Sequence, residues 1–147
     1  MAGRDPTHWL HRLSADEWLR AGIHELGQAK AAFSRHAARS GLASARRAAG
    51  MGWNAVLALE PQPDERYGRS YVDHLRALAE GAPLATEDPS PIPEAVRLAA
   101  RRLLDDPAAG PPGEVVQILT PKRDAGLFDA AETILAEAYA RVVRRGA

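Results

Sequence analysis

Ser14-Ala15-Asp16-Glu17 opens the longest amphipathic pattern in the chain, and this start constrains the fold more than any other feature. Ser14 can accept from the backbone N–H of Glu17, and the Glu17 carboxylate can reach back to the N–H of Ser14, which makes a capping box. Leu13 before the cap and Trp18 at the fourth helical position form a hydrophobic staple. Trp18, Gly22, Leu26, Ala29, Phe33 and Ala37 then recur at steps of three and four, widened by Leu19 and Ile23. A helix with one apolar stripe must bury it against something else. The spacing predicts a helix to about Arg39, with Ser40-Gly41 as the break.

A second helix is predicted over 42–59, with Leu42, Ala45, Ala49, Gly52, Val56 and Leu59 on one face. Its middle is small, with Gly50 and Gly52 inside. An interior glycine costs about 1 kcal/mol relative to alanine, so the pair marks a close approach of another backbone, with Trp53 filling space beside the crossing. The short break makes the two helices an antiparallel hairpin. Residues 60–69 read as a polar loop. Ser70-x-x-Asp73 is a second box-like start, leading a short helix with Leu75 and Leu78 inward and Gly81 as its stop. Four prolines make 82–93 an irregular connection. A fourth helix is predicted over 93–104, then a Pro/Gly linker over 107–113. The apolar run 115–119 is extended or irregular. Thr120-Pro121 then starts a closing helix that carries Phe128, Ala131, Leu135, Ala138 and Val142 and ends near Arg144.

The expected architecture is all-α: a single up-down bundle of four to five helices over 1–147, with an antiparallel long hairpin. Its parts are a lead-in at 1–13, the hairpin at 14–59, loops and two short helices at 60–113, and a connector with the closing helix at 114–147. Composition agrees. Alanine supplies 30 residues and the larger apolar types 37, enough for one modest core. Isoleucine and valine together supply only 11, which disfavours sheet.

Several function classes fall away. The absence of cysteine excludes disulfide scaffolds, thiolate metal sites and cysteine nucleophiles. No apolar run is long enough for a membrane span, and the first thirteen residues lack the apolar core of a signal peptide. The expected compartment is therefore cytoplasmic, with no membrane partner. The 19 basic and 19 acidic residues balance, which argues against a wholesale electrostatic nucleic-acid binder. His24-Glu25-Leu26-Gly27-Gln28 lacks the second histidine of a helical zinc motif, and His8 with His11 has no third ligand. No metal or other cofactor is expected.

Two polar groups remain. Between Glu25 and Glu60 there is no acidic residue, yet Lys30, Arg35, Arg39, Arg46 and Arg47 fall there. This end of the hairpin, with Arg46 and Arg47 at its centre, reads as a phosphate or RNA contact patch, or as a solvated face with ion pairs to the acidic second half. The densest cluster runs from Arg66 to Arg76 through Arg69, Tyr71, Asp73 and His74. Arg69 and His74, five apart at a helix start, suit phosphate holding and proton transfer in metal-free cleavage by the RNA's own 2′-hydroxyl. The plainer reading packs Tyr71 and His74 at the core edge, with Asp73 in the cap. Asn54, beside Trp53, is either exposed or buried where it can position the Arg69–His74 loop.

Asp16-Glu17-Trp18-Leu19-Arg20-Ala21, the small-residue stretch from Ala43 to Ala49, and Asp73-His74-Leu75 with Leu78 resemble the motifs of HEPN domains, and the closing helix completes their order. The resemblance spans nearly the whole chain. It implies a HEPN-like bundle, a homodimer, a partner protein such as a nucleotidyltransferase, and a toxin–antitoxin or defence-type role with RNA or nucleotide as ligand. The family's ribonucleases carry arginine, then histidine, on a late helix. Here Arg123 is followed five residues on by Phe128, and no histidine follows His74. A non-catalytic binding subunit is therefore the leading expectation. A metal-independent ribonuclease using Arg69 and His74 is the enzyme alternative, and a helical interaction scaffold is the third.

Overall fold

The computed structural model describes residues 8–60, 64–84, 90–106 and 121–146. Every regular element among them is a helix. After a 3-10 turn at Trp9–Arg12 come α1 (Ala15–Ser34), α2 (Ala38–Leu57), α3 (Asp64–Tyr67), α4 (Tyr71–Ala79), α5 (Glu94–Asp105) and α6 (Pro121–Arg144). Among the described residues, no helix is long and apolar enough to cross a membrane.

The capping box forms as the sequence requires: Glu17 N–H donates to Ser14 Oγ at 3.1 Å, and Ser14 N–H to the Glu17 carboxylate at 2.9 Å. The 3-10 turn docks on this start, because Trp18 Nε1 donates to the Leu10 carbonyl at 2.8 Å and Leu10 is fully buried. α1 and α2 pack as an antiparallel hairpin, and α6 lies against both. The close point is Gly22 on α1. A Cβ added there would stand 3.0 Å from the Ala48 carbonyl and 3.2 Å from the Gly52 nitrogen. Leu135 of α6 fills the same notch from the third side. α5 packs on α6 and on α4, and α4 on α2. Leu127 and Ile134 of α6 are fully buried, each contributing about 1.5–3 kcal/mol by its removal from water.

The hairpin turn lies earlier than the sequence suggests. α1 ends at Ser34, and Ser40 and Gly41 sit inside α2. The stop is a Schellman motif: Ala37 N–H donates to the Ala32 carbonyl at 2.9 Å and His36 N–H to the Phe33 carbonyl at 3.0 Å. Its left-handed residue is His36, at φ 62°, where glycine is usual. Gly41 serves packing instead, since a Cβ there would run into the Phe33 ring. By contrast Gly81, at φ 70°, ends α4 as expected, with the same pair of bonds to Leu78 and Ala77. Two further short elements appear where loop was expected, the 3-10 turn in the lead-in and the one-turn α3 in the 60–69 stretch. The 107–113 linker and the 115–119 run lie outside the described residues.

Candidate functional site

The polar cluster folds into a tight turn between α3 and α4. Gly68 takes φ 66° there, and a Cβ would also meet the Asp73 Cβ at 2.7 Å, so conformation and space both demand glycine. Ser70 caps α4, its Oγ accepting from Asp73 N–H at 3.0 Å. The Asp73 carboxyl is held below its ordinary range by the Ser70 side chain first, then by the backbone N–H groups of Ser70 and Arg69 and the charge of Arg76.

His74, next along α4, turns inward and is 0% exposed. Its Nδ1 lies 2.7 Å from the Tyr67 carbonyl. A carbonyl only accepts, so Nδ1 carries a proton and donates. Its Nε2 lies 2.7 Å from Oδ1 of Asn54, which is itself fully buried on α2. Asn54 Nδ2 has no partner in this orientation. With Oδ1 facing Nε2 the contact needs a proton on Nε2; turning the amide over lets Nδ2–H donate to an unprotonated Nε2 but leaves Oδ1 where Nδ2 finds no partner. The Trp9 ring stacks on the imidazole at 6.4 Å, and Tyr71 meets it edge-on at 6.2 Å. Tyr71 occupies the space that Gly50 leaves, since a Cβ on Gly50 would clash with its ring. Gly50 therefore admits a side chain from α4, whereas Gly52 lies at the helix crossing.

Tyr67 is anchored as firmly. Its hydroxyl donates to the Ala82 carbonyl at 2.5 Å, its ring packs 5.9 Å from Trp53, and burial pushes its phenol well above the ordinary value. Under this layer lies Arg141, 1% exposed, with Nε on Glu137 at 2.7 Å. Its Nη2 donates to the carbonyls of Ser90 and Pro91, and its guanidinium stands 5.9 Å from the Trp53 ring centre. Sequence reasoning passes over Arg141. The available signal is its register, seven residues after buried Ile134 and four after Glu137.

On the outer side, Arg66, Gly68, Asp73, Arg76 and Glu80 border an open groove of about 320 Å3. Arg66, Arg69 and Arg76 are exposed, and Arg76 stands 3.6 Å from Asp73. Arg69 faces solvent while His74 faces Asn54, so the two do not form a shared solvent-facing pair. The hairpin arginines are divided as well. Arg46 donates from Nε and Nη2 to the Leu103 and Leu104 carbonyls at 2.8 and 3.0 Å, capping the end of α5. Arg47 pairs with Glu25 at 2.8 Å and reaches Ser44. Lys30, Arg35 and Arg39 remain exposed at the hairpin end.

Among the described residues no group of three His, Cys, Asp or Glu side chains is placed to hold a metal ion. No protein-family model, curated protein or solved structure matches the chain.

Proposed function

We propose that this chain is a HEPN-like, non-catalytic binding subunit that holds RNA or a nucleotide by its phosphates at the rigid 66–76 turn. One observation carries the reading: both nitrogens of His74, the histidine of that cluster, are engaged inside the core by Tyr67 and Asn54. Proton transfer to a substrate needs a nitrogen within reach of it, and here the imidazole braces the turn instead. That bracing fixes Arg66, Arg69 and Arg76 on the outer surface, where planar guanidinium groups suit phosphate oxygens. Arg46 has no part in this contact, because its Nε and Nη2 hold it to the carbonyls at the end of α5. Partner roles of the toxin–antitoxin type, with a homodimer and a nucleotidyltransferase-like protein, belong to the same reading and rest on the family resemblance alone.

The test is anisotropy of a labelled single-stranded RNA across a salt series, beside a gel of the same RNA in metal-free buffer. Binding without cleavage is expected. Arg66→Glu with Arg76→Glu should abolish most binding. The log–log salt slope should be about −2 for three phosphate contacts. No saturable binding sinks the proposal. Shortened RNA with wild type but not with Arg69→Ala would replace it with the ribonuclease reading. Arg69→Ala suits the gel better than His74→Ala, because it leaves the core intact.

A further inference from the structure

At the other end of the hairpin, where α1 ends and α6 begins, a cleft of about 270 Å3 opens between Phe33 and Phe128. Asp124 and Asp129 of α6 line it, with Lys30 and His36 from the α1 side. Asp124 is 6% exposed, and its Oδ1 is buried with no hydrogen-bond partner. A carboxylate in the first turn of a helix is favoured by the dipole, but the dipole leaves that oxygen's lone pairs unmet. Such a group is costly and calls for a partner. The Arg123 charge acts on Asp124 from a distance, but no nearby cation hydrogen-bonds this oxygen. Arg123 is turned to the Asp106 carboxylate, and Lys30 forms no ion pair with Asp124 among the described residues. Ser34 Oγ is engaged by the Lys30 carbonyl at 2.9 Å.

A carboxylate with one unmet oxygen just beneath the wall of a mostly apolar cleft, which Phe33 and Phe128 also line, is the chemistry of a cation site. An ammonium can donate to Asp124 while its carbon body and the ring faces exclude water. We propose that this cleft binds a small organic amine, a primary ammonium carried on an aromatic or branched apolar body. The cleft lies just below the usual size range of ligand pockets, about 300–1,000 Å3, which limits the ligand to a single ring or its equivalent. Lys30 and His36 at the rim disfavour a second positive charge. The site is independent of the 66–76 turn: sixteen residues of α2 separate Ala38 from Asn54, about 24 Å along the helix.

The probe is 2-phenylethylamine, titrated into the full chain and followed by amide NMR shifts and calorimetry, with phenylacetate as the matched anion. Saturable shifts at Phe33 and Phe128 are expected with the amine, and none with phenylacetate. Asp124→Asn should weaken the amine about tenfold or more while the melting curve stays cooperative. Equal affinity in Asp124→Asn, phenylacetate binding as well as the amine, or no saturation overturns the proposal. Should Asp124→Asn fail to fold, the amine–phenylacetate pair on wild type decides alone.

Discussion

His74 Nε2 and Asn54 Oδ1 stand 2.7 Å apart in a fully buried contact between α4 and α2. This pair ties the polar turn to the core of the bundle. Removing either side leaves a buried polar group without its partner and a cavity beside Trp9 and Tyr71. Asn54→Ala and His74→Ala should each destabilise the chain by about 2–4 kcal/mol in urea unfolding at neutral pH. The double variant should lose less than the sum of the two, with a coupling of about 1 kcal/mol or more. Additive losses, or single losses under about 0.5 kcal/mol, would mean that the contact does not brace the turn.

Arg46 makes a second prediction, because its guanidinium serves two carbonyls at once, Leu103 and Leu104. Burial pulls its pKa down, against the opposing pull of Asp106, as expected for a cation partly withdrawn from water. Arg46→Ala should cost about 1.5–3 kcal/mol. Arg46→Lys should recover less than half of that, since a lysine is a point donor where a fork is needed. Hydrogen exchange at the last turn of α5 should quicken in both variants. Unchanged protection there would show that other groups satisfy those carbonyls.

These two residues also mark what was legible in the sequence. Local signals read well: the Ser14–Glu17 box, the Ser70–Asp73 start and Gly81 all act within a few residues of themselves, so their physics lies in adjacent letters. The hairpin turn is not legible locally, because its left-handed residue is a histidine and the neighbouring glycine, Gly41, answers to the Phe33 ring. The candidate site is the least legible part. His74 and Asn54 are twenty residues apart and Arg46 and Leu103 fifty-seven. Nothing local distinguishes a histidine bound to a core amide from one bound to a substrate, or an arginine on a helix end from one on a phosphate.

Two glycines on α1 should respond in opposite directions. Gly22 faces the backbone of α2, with the Ala48 carbonyl and Gly52 nitrogen 3.0 and 3.2 Å from an added Cβ. Neither can rotate aside, so Gly22→Ala should force the helices apart and cost about 1–3 kcal/mol. Gly27 is exposed, and nothing lies within 4 Å of a Cβ added there. Gly27→Ala should therefore stabilise the chain by about 0.5–1 kcal/mol through helix propensity and a less flexible unfolded state. Thermal melts of the two variants check both signs. A neutral Gly22→Ala would mean that α1 and α2 do not cross at this point.

Tyr67 predicts how stability changes in alkali. Its phenol is pushed above the ordinary 10.0, mainly by burial, with the Arg141 charge partly opposing this. In the unfolded chain the same phenol ionises near its ordinary value. Above about pH 10 the unfolded state therefore binds fewer protons than the folded one, and stability falls as pH rises. The stabilisation is fully present below that pH and is lost on the way up to the folded-state pKa, at up to about 1.4 kcal/mol per pH unit for this one group. Tyr71 shifts in the same direction through burial and adds to the slope. Tyr67→Phe should be about 1 kcal/mol less stable at pH 7, having lost its hydrogen bond to the Ala82 carbonyl. It should also show a shallower alkaline decline, so that its curve meets the wild-type curve as pH rises. Urea unfolding from pH 7 to pH 11, with phenolate absorbance followed in parallel, measures both. Parallel curves for the two proteins would show that Tyr67 ionises as readily folded as unfolded, and that its burial against Trp53 is not maintained in solution.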